Sequence, residues 1–189
     1  MKVDWIACVL AAIAILILPL NWILAGMLAA AFHELCHYLA VKAMGASVLG
    51  VRIIAWGAVI ETSSMSPGRE LFCVLAGPVG GLLLLLVSWW APRVAICGVL
   101  QSAYNILPVY PLDGGRAVGC VVELLPERYR KYGREFQYGI SVAISSAAVL
   151  AALVLRLPAL VFPFLPIMRE NFLAKKGKKG YNIVTLRKL

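Results

Sequence analysis

Two histidines and a glutamate stand at a spacing that suits metal-dependent hydrolysis. His33, Glu34 and His37 form the pattern His-Glu-x-x-His within a long apolar run, and they include both histidines of the chain. Residues four apart share one face of a helix, so both imidazoles can bind one metal ion. Glu34 lies between them and can act as a base toward water at that ion. The pattern predicts a metal site for Zn²⁺, with Glu34 as its catalytic residue.

The alternative is a structural role, in which both histidines are hydrogen-bonded core residues and Glu34 pairs with a lysine or arginine, as in a transporter relay. Depth in the membrane argues against it. At about 1.5 Å per residue, His33 lies roughly 18 Å along a helix that starts at Asn21, which is near the middle of a bilayer. A charged residue there costs about 2.5 kcal/mol or more. Because packing does not explain such a cost, we favour the metal site.

A third ligand must come from elsewhere in the chain, because catalytic zinc usually has three protein ligands and a water. Asp113 is the acidic residue at a plausible depth, in an apolar segment interrupted by Asn105, Pro108 and Pro111. Its alternative role is a helix N-cap or an Asp-Gly turn. Beside a two-histidine site we favour ligation, since an unpaired carboxylate in the membrane is costly. The other acidic residues fall near predicted helix ends or in a predicted hairpin: Asp4, Glu61, Glu70, Glu123, Glu127, Glu135 and Glu170.

Composition indicates the environment of this site. The chain has 189 residues, of which 62% are hydrophobic and 14% are charged, against about 45–50% and about 25% in typical soluble domains. This excess excludes a soluble globular enzyme. Several charge-free runs approach or exceed the roughly 18–20 residues that cross a bilayer as a helix. The predicted fold class is therefore an all-α polytopic membrane protein.

About six transmembrane helices are predicted, together with a short β-hairpin near 47–62. The hairpin either pairs with an unwound substrate strand or covers the site from lipid. One crossing is broken at 105–115, and irregular backbone at membrane depth is tolerated only where protein encloses it or where it lines a wet cavity. This break therefore points to a site. The predicted crossings are 5–18, 21–44, 69–90, 93–125, 135–156 and 157–168.

Charge placement predicts the orientation of these crossings. Six crossings place 15 of the 18 lysines and arginines on the side of both termini, and only Arg93 and Arg156 on the opposite side. This bias predicts cytoplasmic termini, one membrane domain over 1–174 and a basic cytoplasmic tail over 175–189. The net charge of +9 is then a topology signal and a means of contacting anionic lipid. Nucleic-acid binding is not expected, because the basic residues lack a binding fold.

The two motifs together resemble the site-2 protease family of intramembrane zinc metalloproteases. The segment Asn105-Ile-Leu-Pro108-Val-Tyr-Pro111-Leu-Asp113-Gly114-Gly115 is similar to the second motif of that family and follows the histidine motif in the family order. The Asn105 amide has two open roles, which are contact with substrate or its oxyanion and capping of the broken helix. The resemblance implies the following site: metal ligands His33, His37 and Asp113, catalytic base Glu34, and substrate-binding residues Asn105, Pro108 and Pro111.

One departure from the family pattern is Gly81, which stands where the stretch Gly-Pro-x-x-Asn has asparagine. We favour helix packing as the role of this glycine. No PDZ insert or CBS domain is expected, which makes the chain resemble the compact subgroup containing stage IV sporulation protein FB.

The resemblance implies cleavage of membrane-embedded or membrane-tethered regulatory proteins in a bacterial cell membrane, with a regulatory membrane partner as a further expectation. One alternative is a membrane zinc transporter or sensor with the same ligands, which would not need Glu34. Another is a zinc protease of the prenyl-protein endopeptidase type, whose third ligand would be a downstream glutamate such as Glu123.

Overall fold

The structure, a computed structural model, describes residues 2–3, 12, 15–54 and 57–156. The chain divides into two compact units. The first contains the described residues up to Met65 together with Phe72–Ile106, and the second contains Ser66–Leu71 together with the described residues from Leu107 onward. The His-Glu-x-x-His motif lies in the first unit, and Asp113 lies in the second.

Helix α1, Leu20–Ala43, carries the histidine motif. Pro19 precedes the helix in an extended conformation, and proline is poorly accommodated within a helix. The predicted break near residue 20 is therefore confirmed. Large apolar side chains such as Leu24, Leu28 and Leu39 are exposed along α1. The buried residues recur at three- and four-residue spacing, as expected for one packed face: Ala25, Ala29, His33, His37, Ala40 and Val41.

A three-stranded sheet belongs to the same unit. Its strands are β1 (Lys2–Val3), β2 (Val48–Ile54) and β3 (Gly57–Thr62). They lie in the sheet in the order β1-β2-β3. Strands β2 and β3 pair antiparallel within the segment for which a hairpin was predicted, and their connection at 55–56 lies outside the described residues. Strand β1 adds in parallel to β2. It was not predicted, because two residues carry no readable alternation.

Two further helices complete this unit. Helix α2, Pro67–Leu83, begins in the second unit and belongs to the first unit from Phe72 onward. A 3-10 turn at Leu84–Val87 follows it. The helix predicted over 69–90 therefore ends early, with its α-helical part at Leu83 and its 3-10 turn at Val87. Helix α3, Pro92–Asn105, packs against α1 and the 3-10 turn. A small apolar core joins α1 to α2 through Ala40, Val41, Ala46 and Cys73.

The second unit contains helices α4, Asp113–Leu124, and α5, Glu127–Val154, which pack together. The chain between α3 and α4, residues 106–112, is not helical and contains a cis peptide bond before Pro111. The predicted break in this crossing is therefore present. Helix α5 begins eight residues before the predicted start at 135. Glu123 contacts Arg134 at 2.9 Å and Arg130 at 4.0 Å, which balances charge in the first turns of α5.

Three of the described helical stretches are long and apolar enough to cross a membrane: Leu20–Ala43, Pro67–Val87 and Glu127–Ala152. The chain is thus a mostly helical integral membrane protein. Helices α3 and α4 have 14 and 12 residues, fewer than the roughly 17 that a full crossing needs. The predicted helix over 157–168 lies outside the described residues, as does most of the one over 5–18.

Candidate metal centre

His33 and His37 lie one helical turn apart on the packed face of α1. Their exposed fractions are 1% and 9%, and their Nε2 atoms lie 3.1 Å apart. Two nitrogens bound to one tetrahedral zinc ion at about 2.0–2.1 Å would be roughly 3.3 Å apart. Glu34 follows His33 on α1 and is partly buried. The two imidazoles therefore have the separation that shared metal binding requires.

A backbone carbonyl determines which nitrogen of His37 can bind a metal. His37 Nδ1 lies 2.8 Å from the carbonyl oxygen of Cys73 on α2. A carbonyl only accepts hydrogen bonds, so Nδ1 donates its proton and Nε2 keeps its lone pair. Metal-binding histidines commonly make this kind of contact, which fixes the tautomer and the ring orientation. Sequence reasoning did not find this contact, because a backbone carbonyl leaves no signal in residue identity.

Gly77 on α2 gives the two rings their space. A β-carbon at this position would overlap His37 Nε2, and it would lie 2.5 Å from His37 Cε1 and 2.7 Å from His33 Nε2. Any larger residue would occupy the space in front of both metal-facing nitrogens. The absence of a side chain at Gly77 therefore leaves a hollow that both Nε2 atoms border.

Asp113 is the first residue of α4 and is 9% exposed. The N-cap position belongs to Leu112, whose side chain makes no capping hydrogen bond. Asp113 thus occupies the first helical position and not the N-cap. A carboxylate in the first turn of a helix is still favoured by the helix dipole.

His33 and His37 are buried on α1 in the first unit, and Asp113 is buried at the start of α4 in the second. Two imidazoles and a carboxylate are a donor set that catalytic zinc sites use. The residues therefore fit the ion that the histidine motif predicts.

The other acidic residues of the described chain have different surroundings. The Glu123 carboxylate contacts Arg130 and Arg134. In a prenyl-protein endopeptidase site this carboxylate would instead bind the metal ion. Glu70 lies 3.7 Å from Arg116. Glu127 and Glu135 are exposed, and Asp4, Glu170 and the Glu61 side chain lie outside the described residues.

The predicted substrate-binding residues border the non-helical segment. Asn105 is the last residue of α3, and Pro108 and Pro111 lie within 106–112, all three partly buried. Sequence reasoning missed two side chains of α5 that bind this region, Gln137 and Ser141. Their spacing of four residues within an apolar helix was an available signal.

The chain is similar in sequence to known proteins over part of its length. No family model matches the chain. Rip3 of Mycobacterium tuberculosis, which is named as a zinc metalloprotease, is 27% identical over 154 residues, covering 70% of this chain and 36% of that protein. A protein of Synechocystis also named as a zinc metalloprotease is 28% identical over 141 residues, covering 62% and 37%. The chain thus spans just over a third of the length of these relatives.

The fold gives an independent comparison. The site-2 protease from Methanocaldococcus jannaschii superimposes with a TM-score of 0.68 and 17% sequence identity, covering 93% of this chain and 86% of that chain. The described residues therefore have the fold of a site-2 protease. Together with sequence similarity to proteins named as zinc metalloproteases, this fold confirms the resemblance to the site-2 protease family that the two motifs predict.

Proposed function

We propose that the chain is an intramembrane zinc metalloprotease that hydrolyses peptide bonds of membrane-embedded or membrane-tethered regulatory proteins. The observation that carries this proposal is the pair of buried imidazoles with Nε2 atoms 3.1 Å apart, next to Glu34, on an apolar helix long enough to cross a membrane. Two histidines and a glutamate at this spacing are the parts of a helical zinc-protease site.

His33, His37 and Asp113 are proposed to hold the ion. Their burial and their donor types support this assignment. When bound, zinc supplies a Lewis acid that polarises a peptide carbonyl and activates water for attack. The Cys73 carbonyl holds His37 in the tautomer that leaves Nε2 available. Gly77 keeps the space beside both Nε2 atoms open.

Glu34 is proposed to move the proton. Its carboxylate accepts a proton from the attacking water and then delivers that proton to the leaving amine nitrogen, as general acid–base catalysis requires. The protein forms no covalent bond with the substrate in this scheme. The position of Glu34 next to His33 on α1 supports this role.

Asn105, Pro108 and Pro111 are proposed to shape the substrate cleft. A transmembrane helix keeps its carbonyls in hydrogen bonds, so a substrate must unwind locally before cleavage. The non-helical backbone between α3 and α4 supports a cleft at this place. Within a membrane, such backbone is tolerated where it is enclosed by protein or faces a water-filled cavity, and not where it faces lipid. The Asn105 amide then contacts the substrate backbone or its oxyanion.

We further propose six crossings in a bacterial cell membrane, with both termini cytoplasmic and the tail over 175–189 near anionic lipid. The excess of lysine and arginine on one side supports this orientation. Two relatives come from bacteria. A regulatory membrane partner would add control of substrate access.

The test is co-expression of the full chain with candidate single-pass membrane proteins, comparing wild type with Glu34→Gln. We expect cleavage by wild type only, at one site mapped by mass spectrometry, while both forms retain zinc. Glu127→Gln is the matched control, because Glu127 is exposed at the start of α5. If Glu34→Gln still cleaves, the proposed role of Glu34 is wrong. If the wild type instead transports zinc and Glu34→Gln transports it equally well, the result supports the zinc-transporter alternative.

A further inference from the structure

Helix α5 carries three buried polar side chains in one line, here called the polar stripe: Gln137, Ser141 and Ser145. They are four residues apart and are 2%, 0% and 0% exposed. Residues at this spacing share one face of a helix. Polar side chains inside a membrane helix face protein or water and usually have a partner or a function. The question is what the polar stripe binds.

Two members of the polar stripe bind backbone on either side of Asp113. The amide Nε2 of Gln137 donates to the carbonyl oxygen of Gly115 at 2.6 Å. The Ser141 hydroxyl donates to the carbonyl oxygen of Pro108 at 3.3 Å and accepts from the backbone N–H of Tyr110 at 3.2 Å. All three bonds therefore go to residues 108–115 and none goes to another side chain.

The segment needs such partners, because no backbone N–H within 107–112 donates to the carbonyl four residues earlier, as helical backbone in a membrane normally does. Its own bonds are local, such as Leu112 N–H to the Val109 carbonyl at 2.8 Å. The segment also folds closely against the first turn of α4. A β-carbon on Gly115 would overlap backbone atoms of Tyr110 and lie 2.6 Å from the Val109 carbonyl oxygen. Small rotations of this turn would therefore redirect Asp113.

We propose that Gln137 and Ser141 are positioning residues for Asp113. Gln137 holds the carbonyl two residues after Asp113, and Ser141 holds the backbone three and five residues before it. Together they fix the first turn of α4 relative to α5 and so fix the direction of the carboxylate. This inference rests on the proposed function, in which Asp113 is the third metal ligand.

The test measures zinc affinity of the purified full-length chain in detergent, by competition with a chelator of known affinity. Gln137→Met and Ser141→Ala should each weaken zinc binding about 10- to 100-fold, the usual effect of losing a group that orients a ligand. Ser145→Ala is the matched control. Ser145 is as buried as Ser141 on the same helix, but its hydroxyl has no hydrogen-bond partner among the described residues. It should leave zinc affinity unchanged.

Two further measurements separate positioning from a general loss of stability. Ser141→Thr keeps the hydroxyl, so it should retain most of the affinity that Ser141→Ala loses. In an Asp113→Ala background, Gln137→Met and Ser141→Ala should cause no further loss, because they act through the missing carboxylate. Thermal unfolding of the metal-free variants should not differ between Ser141→Ala and Ser145→Ala by as much as their zinc affinities do.

The outcomes distinguish this inference from the proposed function. If Asp113→Ala weakens zinc binding but Gln137→Met and Ser141→Ala do not, the positioning role is wrong and the metal site stands. The positioning role would also be wrong if Gln137→Met and Ser141→Ala lowered zinc affinity in the Asp113→Ala background by the same factor as in wild type. If Asp113→Ala binds zinc as tightly as wild type, the ligand set itself is wrong, and the positioning role falls with it.

Discussion

Replacement of Gly77 by alanine tests the metal centre with a single added methyl group. The β-carbon would lie 2.5 Å from His37 Cε1 and 2.7 Å from His33 Nε2, whereas ordinary contact begins at 3.4 Å. The His33 ring would have to retreat by about 0.7 Å and the His37 ring by more than about 0.9 Å, whereas metal–ligand distances tolerate only about 0.2 Å. His37 cannot retreat freely, because its Nδ1 is bonded to the Cys73 carbonyl.

We expect Gly77→Ala to weaken zinc binding at least tenfold, which corresponds to about 1.4 kcal/mol or more. Proteolysis should fall with zinc occupancy and recover in part at high zinc concentration. The measurement is chelator competition on the purified chain, followed by cleavage of a co-purified substrate across a zinc titration. Circular dichroism establishes that the helices remain intact.

Gly26→Ala is the matched control for this change. Gly26 lies on α1, the same helix as both histidines, and a β-carbon there would meet nothing within 4 Å. Zinc affinity should stay at the wild-type value, and the helix should gain up to about 1 kcal/mol from the better helix former. Wild-type zinc affinity in Gly77→Ala would show that the rings do not border Gly77, and would refute the reasoning.

Three further predictions follow. Asp113→Ala should lose most of its bound zinc whereas Glu123→Ala should retain it, as measured by metal analysis after dialysis; the reverse result would favour the downstream-glutamate alternative. Nitrogen-15 NMR of the metal-free chain should show His37 protonated at Nδ1, because the Cys73 carbonyl accepts that proton. A spectrum with the proton on Nε2 would contradict the hydrogen bond. Assignment is simple, since the chain has only two histidines. Gly115→Ala should lower the free energy of unfolding by about 1–3 kcal/mol, because its β-carbon would overlap backbone, and unchanged thermal unfolding in detergent would rule out that close approach.

The parts of the site that depend on local geometry could be predicted from the sequence. Two histidines four residues apart meet on any helix, so His33 and His37 required only that α1 form. The break before Asp113 was equally local, because prolines interrupt a helix wherever they occur. The structure places Asp113 one position after the N-cap, which is Leu112. Helix boundaries are uncertain by about this much from sequence.

Contacts between distant parts of the chain could not be predicted in the same way. The Cys73 carbonyl lies 36 residues from His37, and Gly115 lies 22 residues from Gln137. A backbone acceptor has no residue type, so no pattern marks it. The start of α5 was misplaced for a related reason. Charge-free runs locate only the apolar part of a helix, whereas α5 also contains charged turns rich in arginine, lysine and glutamate, which form helix well.

The length of α5 links this site to the thickness of the surrounding bilayer. Its 28 residues extend about 42 Å, against roughly 30 Å of hydrocarbon. The excess of about 12 Å equals the first eight residues at about 1.5 Å each, and these carry most of the charges of the helix. Cations resist entry into hydrocarbon, so these turns hold the helix at one height in the membrane. Because Gln137 and Ser141 on this helix bind residues 108–115, a change in bilayer thickness that tilts α5 would move the backbone around Asp113.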